Sequence, residues 1–454
     1  MAIQSTNPMT GRVEKSFDEF TSAQIFSAVS DVNCAFTSWK NSSMEFRADC
    51  LRSFAVLLRE RADHFAELMA AEMGKPLKSG RAEVLKSATV CDFYADNGPS
   101  MLASEPKTVD GMKCWVDYAP MGTVLAVMPW NYPIWQVLRI AVPTLMAGNT
   151  MLLKHASNVP QCALALEQAF RDSIFPENVF RSLLIGAGQV EHVLKHDSVV
   201  GVCLTGSEGA GRKVAAAAGA QLKKSVMELG GSDAFVVLAD ADLDKAASLG
   251  AESRCSNAGQ ACIAAKRFIV HTDIYDEFVS KLSECMNSVS IGDPFDENTV
   301  MGPLASHQFR NDLQAQVDKC INAGGKIVMG GAIPEGEGAF YPPTIITDVP
   351  FKNEAGRDEL FGPVALVFRA ESEDQAMEMA NDSLFGLGGS VWTRDEEKGL
   401  RLARRIEAGL VYVNGRVSSR PPLPFGGVKN SGYGRELSTY GIREFVNVKS
   451  VCIG

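Results

Sequence analysis

No CxxC pair, no cysteine–histidine cluster at metal-ligand spacing, no bilayer-length apolar run and no excess of positive charge occur in these 454 residues. Each absence removes a class of function. The eleven cysteines, an odd number scattered from Cys34 to Cys452, argue against a disulfide scaffold or a metal module and for a reduced, cytoplasmic chain. The longest weakly polar stretches, such as Val142 to Leu153, fall short of the roughly 20 residues a spanning helix needs. The first residues, MAIQSTNPMTGRVEKSF, lack the apolar core of a signal peptide. No membrane partner is therefore expected. A formal net charge of −10 provides no broad basic surface for a phosphate backbone, which excludes nucleic acid as a general partner.

What remains is ordinary globular material, 46% hydrophobic and 22% charged, in a chain too long for one core, so two or three domains are expected. Apolar residues from Ser43 to Met73 recur at helical spacing until Gly74-Lys75-Pro76 stops them, and a second helix is expected near Ser79 to Tyr94. Strands are expected over 122–128, 150–153, 179–185 and 199–204, alternating with helices over 133–147, 159–170 and 210–220. That alternation predicts an α/β, doubly wound parallel sheet with ligands at the carboxyl ends of its strands. A second α/β series begins near Ala234 and runs through strands at 267–270 and 364–368, with helices near 275–286 and 308–323.

Two short segments carry chemistry. In Asn257-Ala-Gly-Gln-Ala-Cys262 a thiol sits in a small-residue loop that a substrate can approach. In Met227-Glu-Leu-Gly-Gly231 a carboxylate precedes two glycines that let backbone pass close to a ligand. A thiolate attacks a carbonyl carbon and later leaves from a thioester, so Cys262 reads as nucleophile and Glu228 as general base. Most cysteines are buried and inert; the pairing of the two segments singles out Cys262. At other strand ends, Leu204-Thr-Gly206-Ser207 can present backbone N–H groups to a phosphate, and Asn131 of Pro129-Trp-Asn-Tyr-Pro133 can donate to an oxyanion. Each of these is also compatible with a plain turn or helix cap.

With those segments, the chain closely resembles the aldehyde dehydrogenase superfamily over essentially its whole length. The resemblance also rests on Leu153-Lys-His-Ala156, Glu359-Leu-Phe-Gly-Pro363 and Pro424-Phe-Gly-Gly-Val-Lys429. Glu72-Met-Gly-Lys-Pro76, Ala82-Glu-Val-Leu-Lys86 and Ser431-Gly-Tyr-Gly-Arg-Glu436 make it most similar to the short bacterial succinate-semialdehyde dehydrogenases. The resemblance implies Cys262 as nucleophile, Glu228 as base and Asn131 as oxyanion donor. It implies that Lys154 and Glu359 hold the cofactor ribose, and that Trp130, Gly206, Ser207 and Phe361 border its phosphates and nicotinamide ribose. It further implies a dinucleotide-binding domain over 1–112 and 130–230, a catalytic domain over 231–423, and a small β oligomerisation flap and C-terminal arm over 113–129 and 424–454, the flap combining the strand region just before Gly122 with Glu444 to Gly454. The partners implied are a small aldehyde and other copies of the chain, as a homodimer or homotetramer.

Two positions sharpen the expectation. Ser157 stands where NAD-preferring members of this family tend to carry glutamate; without that negative charge a 2′-phosphate is tolerated, so NADP is expected, with NAD as the second cofactor. Alternatively, Ser157 merely starts the following helix. Arg139, on an apolar helix with Trp135, needs a partner when buried. The resemblance assigns that role to the far carboxylate of a short semialdehyde, with Trp135 and Ser419 beside it; an ion pair with a nearby acid is the other reading. Ser418-Ser-Arg420-Pro-Pro422-Leu-Pro424 departs from the usual Ser-Asp-Pro-Arg-Leu-Pro pattern and bears on fine specificity. Retention of Glu228 favours hydrolysis of the acyl-enzyme over its transfer to coenzyme A, and the intact trio argues against a non-catalytic scaffold.

Overall fold

The computed structural model describes residues 3–454. Its architecture is α/β with two separate, mainly parallel sheets. In the first, the strands run in the order Gly432–Tyr433, Lys224–Glu228, Val199–Thr205, Thr123–Met128, Thr150–His155, Phe180–Ser182, and only the Gly432–Tyr433 edge is antiparallel. The chain spreads one way from Thr123–Met128 and the other way from Val199–Thr205. A crevice at the carboxyl ends of those two neighbours is the expected ligand position for such a sheet. Pro129–Pro133 and Gly206–Ser207 follow directly from those two strand ends.

The second sheet has seven strands, in the order Lys326–Met329, Thr344–Thr347, Val364–Ala370, Ala265–His271, Asp233–Val237, Gly388–Trp392, Leu410–Val413. All neighbours are parallel except the first pair. Its central strands are buried on both faces, as near-continuous runs such as Ala234-Phe-Val-Val237 require. A third sheet of three antiparallel strands joins Glu105–Val109, Met112–Pro120 and Val446–Ile453.

The structure moves three expected boundaries, because a strand belongs with the backbone it pairs with. Thr123–Met128, assigned from sequence to the flap, lies at the centre of the first sheet. Glu105–Val109, assigned to the dinucleotide-binding segment, pairs within the three-stranded sheet. Within the 424–454 segment, Val428–Lys429 and Gly432–Tyr433 pair with Phe385–Gly386 and Lys224–Glu228, and only Val446–Ile453 joins the three-stranded sheet. The helical run expected over Ser43 to Met73 is two helices, Met44–Glu60 and Ala62–Met73, broken at Arg61.

One cysteine expectation is corrected. Cys114 and Cys452 lie directly opposite each other in the antiparallel register of the third sheet, with a Cα–Cα distance of 4.1 Å, and are bonded. A sequence separation of 338 positions hid the pair from inspection of the sequence. The other nine cysteines are free thiols. Among the described residues no helix is long and apolar enough to cross a membrane.

Candidate active site

Cys262 sits in the loop that joins the helix Leu243–Cys255 to the strand Ala265–His271. Asn257, Ala258 and Gly259 take left-handed backbone there, with φ of 54°, 52° and 71°. An alanine in that region costs roughly 1–2 kcal/mol, so surrounding contacts must hold the loop. Glycine is needed at Gly259 for a second reason: a Cβ would lie 2.2 Å from the Gly362 carbonyl carbon. Likewise a Cβ on Gly231 would lie 2.7 Å from the Cys262 carbonyl oxygen. The two sequence segments that carry the chemistry are therefore pressed together backbone against backbone.

Buried cations pin the same loop. Lys266, 1% exposed, donates to the carbonyls of Ala261 (2.9 Å) and Cys262 (2.8 Å). It also pairs with Glu359 at 3.4 Å, and Glu359 accepts from the Gly231 N–H at 3.1 Å. Arg254, fully buried, donates to the carbonyls of Gly259 and Ala265. Neither cation was singled out from sequence, although basic residues flanking an apolar strand are a readable cue.

A cavity of about 280 Å³ opens beside the Cys262 thiol. Its walls bring together four of the expected or family-implied residues, Cys262, Trp135, Arg139 and Ser419, and add Tyr132 and Lys86, which sequence reasoning missed. The helix Trp135–Met146 that carries Arg139 is buried throughout. Its first N–H groups, those of Ile134 and Trp135, donate to the Glu83 carboxylate at 2.9 and 3.0 Å, and Lys75 ion-pairs with that carboxylate.

Asn131 and Glu228 stand just behind the cavity rather than in its walls. Asn131 Nδ2 donates to the Gln260 carbonyl at 2.9 Å, while its own carbonyl accepts from Lys75 and Asn257. One Nδ2 hydrogen remains for another acceptor. Glu228 is 2% exposed and neither carboxylate oxygen has a hydrogen-bond partner. Burial pushes its carboxyl well above the usual carboxylate range, and the nearby Glu436 charge adds to this. Burial also pushes the Cys262 thiol up to about 12, against the opposing pull of Arg139 and Lys266. The Cys262 thiol therefore keeps its proton at neutral pH.

Arg139 follows the ion-pair reading. It pairs with Glu436, itself fully buried, and its guanidinium lies 4.1 Å over the Phe425 ring. A buried guanidinium on an apolar helix needs a constant counter-charge, and Glu436 supplies it. Arg139 Nη2 still lacks a hydrogen-bond partner, and the residue lines the cavity. Arg420 and Pro422, the departures noted in sequence, are exposed and outside the cavity walls.

Of the residues expected on the cofactor side, Trp130, Lys154, Ser157, Gly206 and Ser207 lie at or just beyond strand ends of the first sheet, while Glu359 and Phe361 lie in the loop before Val364–Ala370 of the second. Trp130 stacks on Phe309 (4.6 Å between centroids) and meets Phe361 edge-on (5.8 Å). Lys154 is buried near the end of Thr150–His155, and burial lowers its ammonium. Ser157 is exposed and does not cap the next helix, whose N-cap is Val159, so the helix-start reading fails. Ser207 caps Glu208–Ala220 by accepting from the Ala210 N–H, and a Cβ on Gly209 would meet nothing within 4 Å. Thr205 Oγ1 and Asn158 Nδ2 are buried without partners at the same strand ends. Orphaned donors and acceptors beside open backbone at a helix N-terminus fit a dinucleotide. Glu359 is engaged by Lys266 and Gly231, with its side chain 18% exposed. Among the described residues there is no group of three or more His, Cys, Asp or Glu that could hold a metal ion.

The aldehyde dehydrogenase family model matches residues 1–451. The chain is 48% identical, over the full length of both proteins, to the Mycobacterium ulcerans protein named succinate-semialdehyde dehydrogenase (NADP+) 1. It is 47% identical, again over both full lengths, to a Mycobacterium leprae protein of that same activity and cofactor name. Among solved structures, succinic semialdehyde dehydrogenase from Streptococcus pyogenes in complex with NADP+ superposes with a TM-score of 0.97 at 38% identity, covering 99% of each chain. The structure of Gox0499 superposes at 0.99 with 42% identity over both whole chains.

Two outcomes follow from this geometry. With its thiol raised to about 12, Cys262 of the ligand-free protein will be alkylated by iodoacetamide about tenfold faster per pH unit up to about pH 10; peptide mass spectrometry reads this, and a plateau near neutral pH contradicts it. Arg139→Ala strands the Glu436 charge and will cost about 3–5 kcal/mol in urea unfolding. Adding Glu436→Gln will recover part of that loss; a cost below about 1 kcal/mol contradicts the pair's role.

Proposed function

The chain belongs to the aldehyde dehydrogenase family, and from that membership we propose that it oxidises succinate semialdehyde to succinate with NADP, by way of a covalent Cys262 adduct. The observation that carries the reading is the meeting, in one cavity, of a thiol with Arg139, Trp135, Ser419 and their polar neighbours. Such a cavity suits a short aldehyde with a polar far end better than a long apolar one.

Cys262 gives up its proton to water, and the resulting thiolate attacks the aldehyde carbon. The oxyanion that forms is held by the remaining Asn131 Nδ2 hydrogen and the Cys262 backbone N–H, donors already fixed before the reaction begins. A bound nicotinamide dinucleotide supplies the hydride acceptor that leaves a thioester on Cys262. Glu228 then takes a proton from water, which attacks the thioester carbonyl and releases the acid and the thiol. The raised Glu228 carboxyl suits it to accept and return protons near neutral pH once charge rearranges around it. Its side chain must turn towards the cavity to do so, away from a resting position where a Cβ on Gly426 would sit 2.6 Å from Glu228 Oε1.

The NADP assignment is supported by Ser157, exposed after the strand Thr150–His155 and free of any capping duty, and by the cofactor named for the relatives. Lys154, Trp130, Gly206 and Ser207 are assigned to the cofactor on their strand-end positions, Phe361 on its contact with Trp130, and Glu359 on its place two residues before Phe361. A homo-oligomer is supported by the strand Val446–Ile453, whose Val448 and Ile453 are each 59% exposed on a sheet edge. Nine free thiols favour a reducing, cytoplasmic setting.

Initial rates with succinate semialdehyde, glutarate semialdehyde and propanal, each with NADP and NAD, test the assignment. The highest kcat/KM is expected for succinate semialdehyde with NADP, and a preference for propanal contradicts it. Ser157→Glu is expected to lower the NADP-to-NAD preference at least tenfold, since a carboxylate would repel the 2′-phosphate; an unchanged preference removes Ser157 from cofactor selection.

A further inference from the structure

We propose that Lys86, with Ser419 and Trp135, forms the anchor for the substrate's far carboxylate, and that Arg139 is a supporting charge rather than the principal one. This rests on the semialdehyde reading above. Four cations line the cavity, and three of them have acids of their own: Lys75 pairs with Glu83, Arg139 with Glu436, and Arg416 with Glu252 at 3.2 Å. Lys86 is the exception. No carboxylate among the described residues lies within ion-pairing distance of it. Its ammonium lies 4.0 Å from the centroid of the Trp135 ring and donates only to Ser419 Oγ, at 2.9 Å.

The hydrogen-bond count around Ser419 points to the missing partner. Ser419 Oγ, 4% exposed, accepts from Lys86 and from the Trp135 indole N–H at 3.1 Å. A hydroxyl has two acceptor sites and one hydrogen, so with both acceptor sites used its hydrogen must go to an acceptor. The structure shows the Ser419 hydroxyl donating to no protein group. Two further Lys86 hydrogens remain, and Arg139, which lines the same cavity, has a buried Nη2 without a hydrogen-bond partner. A cluster of donors with no protein acceptor is complementary to an anion, and a carboxylate of a short aldehyde brings both oxygens.

The charge of Lys86 is conditional. Burial, helped by Arg139, Arg416 and Arg420 and opposed by Glu83, lowers its ammonium to about 8. A lysine is charged below its pKa, so carboxylate binding is at full strength below about pH 8 and weakens above it.

The test uses the purified full-length enzyme with Lys86→Met and Lys86→Arg. For Lys86→Met the ratio of kcat/KM for succinate semialdehyde over propanal is expected to fall roughly 10- to 100-fold, through KM rather than kcat. The inhibition constant of succinate against propanal oxidation should rise by a similar factor, and Lys86→Arg should keep most of both. In the unmodified enzyme, succinate inhibition should weaken above about pH 8. Equal losses for the two aldehydes, an inhibition constant within twofold of the original, or succinate inhibition that stays flat well above pH 8 would each overturn the proposal. If the unmodified enzyme prefers propanal, the semialdehyde reading fails on its own; the Lys86 anchor is still judged by succinate inhibition.

Discussion

One buried ammonium ties the reactive parts of this molecule together. Lys266 holds the carbonyls of Ala261 and Cys262 and reaches Glu359, which in turn receives the Gly231 N–H. Through one side chain, the nucleophile loop, a strand of the second sheet, the Glu359-Leu-Phe-Gly-Pro363 loop and the Glu228-Leu-Gly-Gly231 turn share a single fixed geometry. Of the three left-handed residues shortly before Cys262, Ala258 is tolerable only in such a frame, since unlike Asn257 and Gly259 it does not favour that backbone. Burying an ammonium is costly unless it is fully bonded, and here two carbonyls and a carboxylate meet that need.

The same low-dielectric interior sets the resting electrostatics. It keeps the Cys262 thiol neutral and raises the Glu228 carboxyl, and it makes the buried pairs Arg139–Glu436 and Lys75–Glu83 strong structural links. Neutrality at rest protects a thiol that would otherwise react indiscriminately. Substrate and cofactor must bring the charge that starts the reaction. The cavity is prepared for this on one side only, where Lys86 and Ser419 present hydrogens without acceptors.

The parallel sheets were readable because the strands 123–128, 150–155 and 199–205 are apolar runs of six or seven residues bounded by turn residues, and that length separates them from the twelve-residue buried helix Trp135–Met146. Cys262 and Glu228 were readable because small residues beside them signal close approach, and Gly259 and Gly231 do touch backbone. The helix Ser22–Trp39 was overlooked, although Thr21 and Gln24 form a capping box ahead of Ile25, Ala28, Val29 and Val32. Lys86, Lys266 and Arg254 were not visible, because what distinguishes them is the partner each has or lacks in space. The Cys114–Cys452 pair depended on the register of strands far apart in the chain. Arg139 shows the limit most plainly: its need for a partner was evident, but that Glu436 meets it required the fold.

The most direct test of the account is to quench the enzyme during turnover with succinate semialdehyde and NADP, digest it at acid pH, and map covalent adducts by mass spectrometry. A succinyl thioester on the Cys262 peptide, and on no other cysteine, is the predicted result. Turnover without any adduct there, or an adduct on a different cysteine, would contradict it.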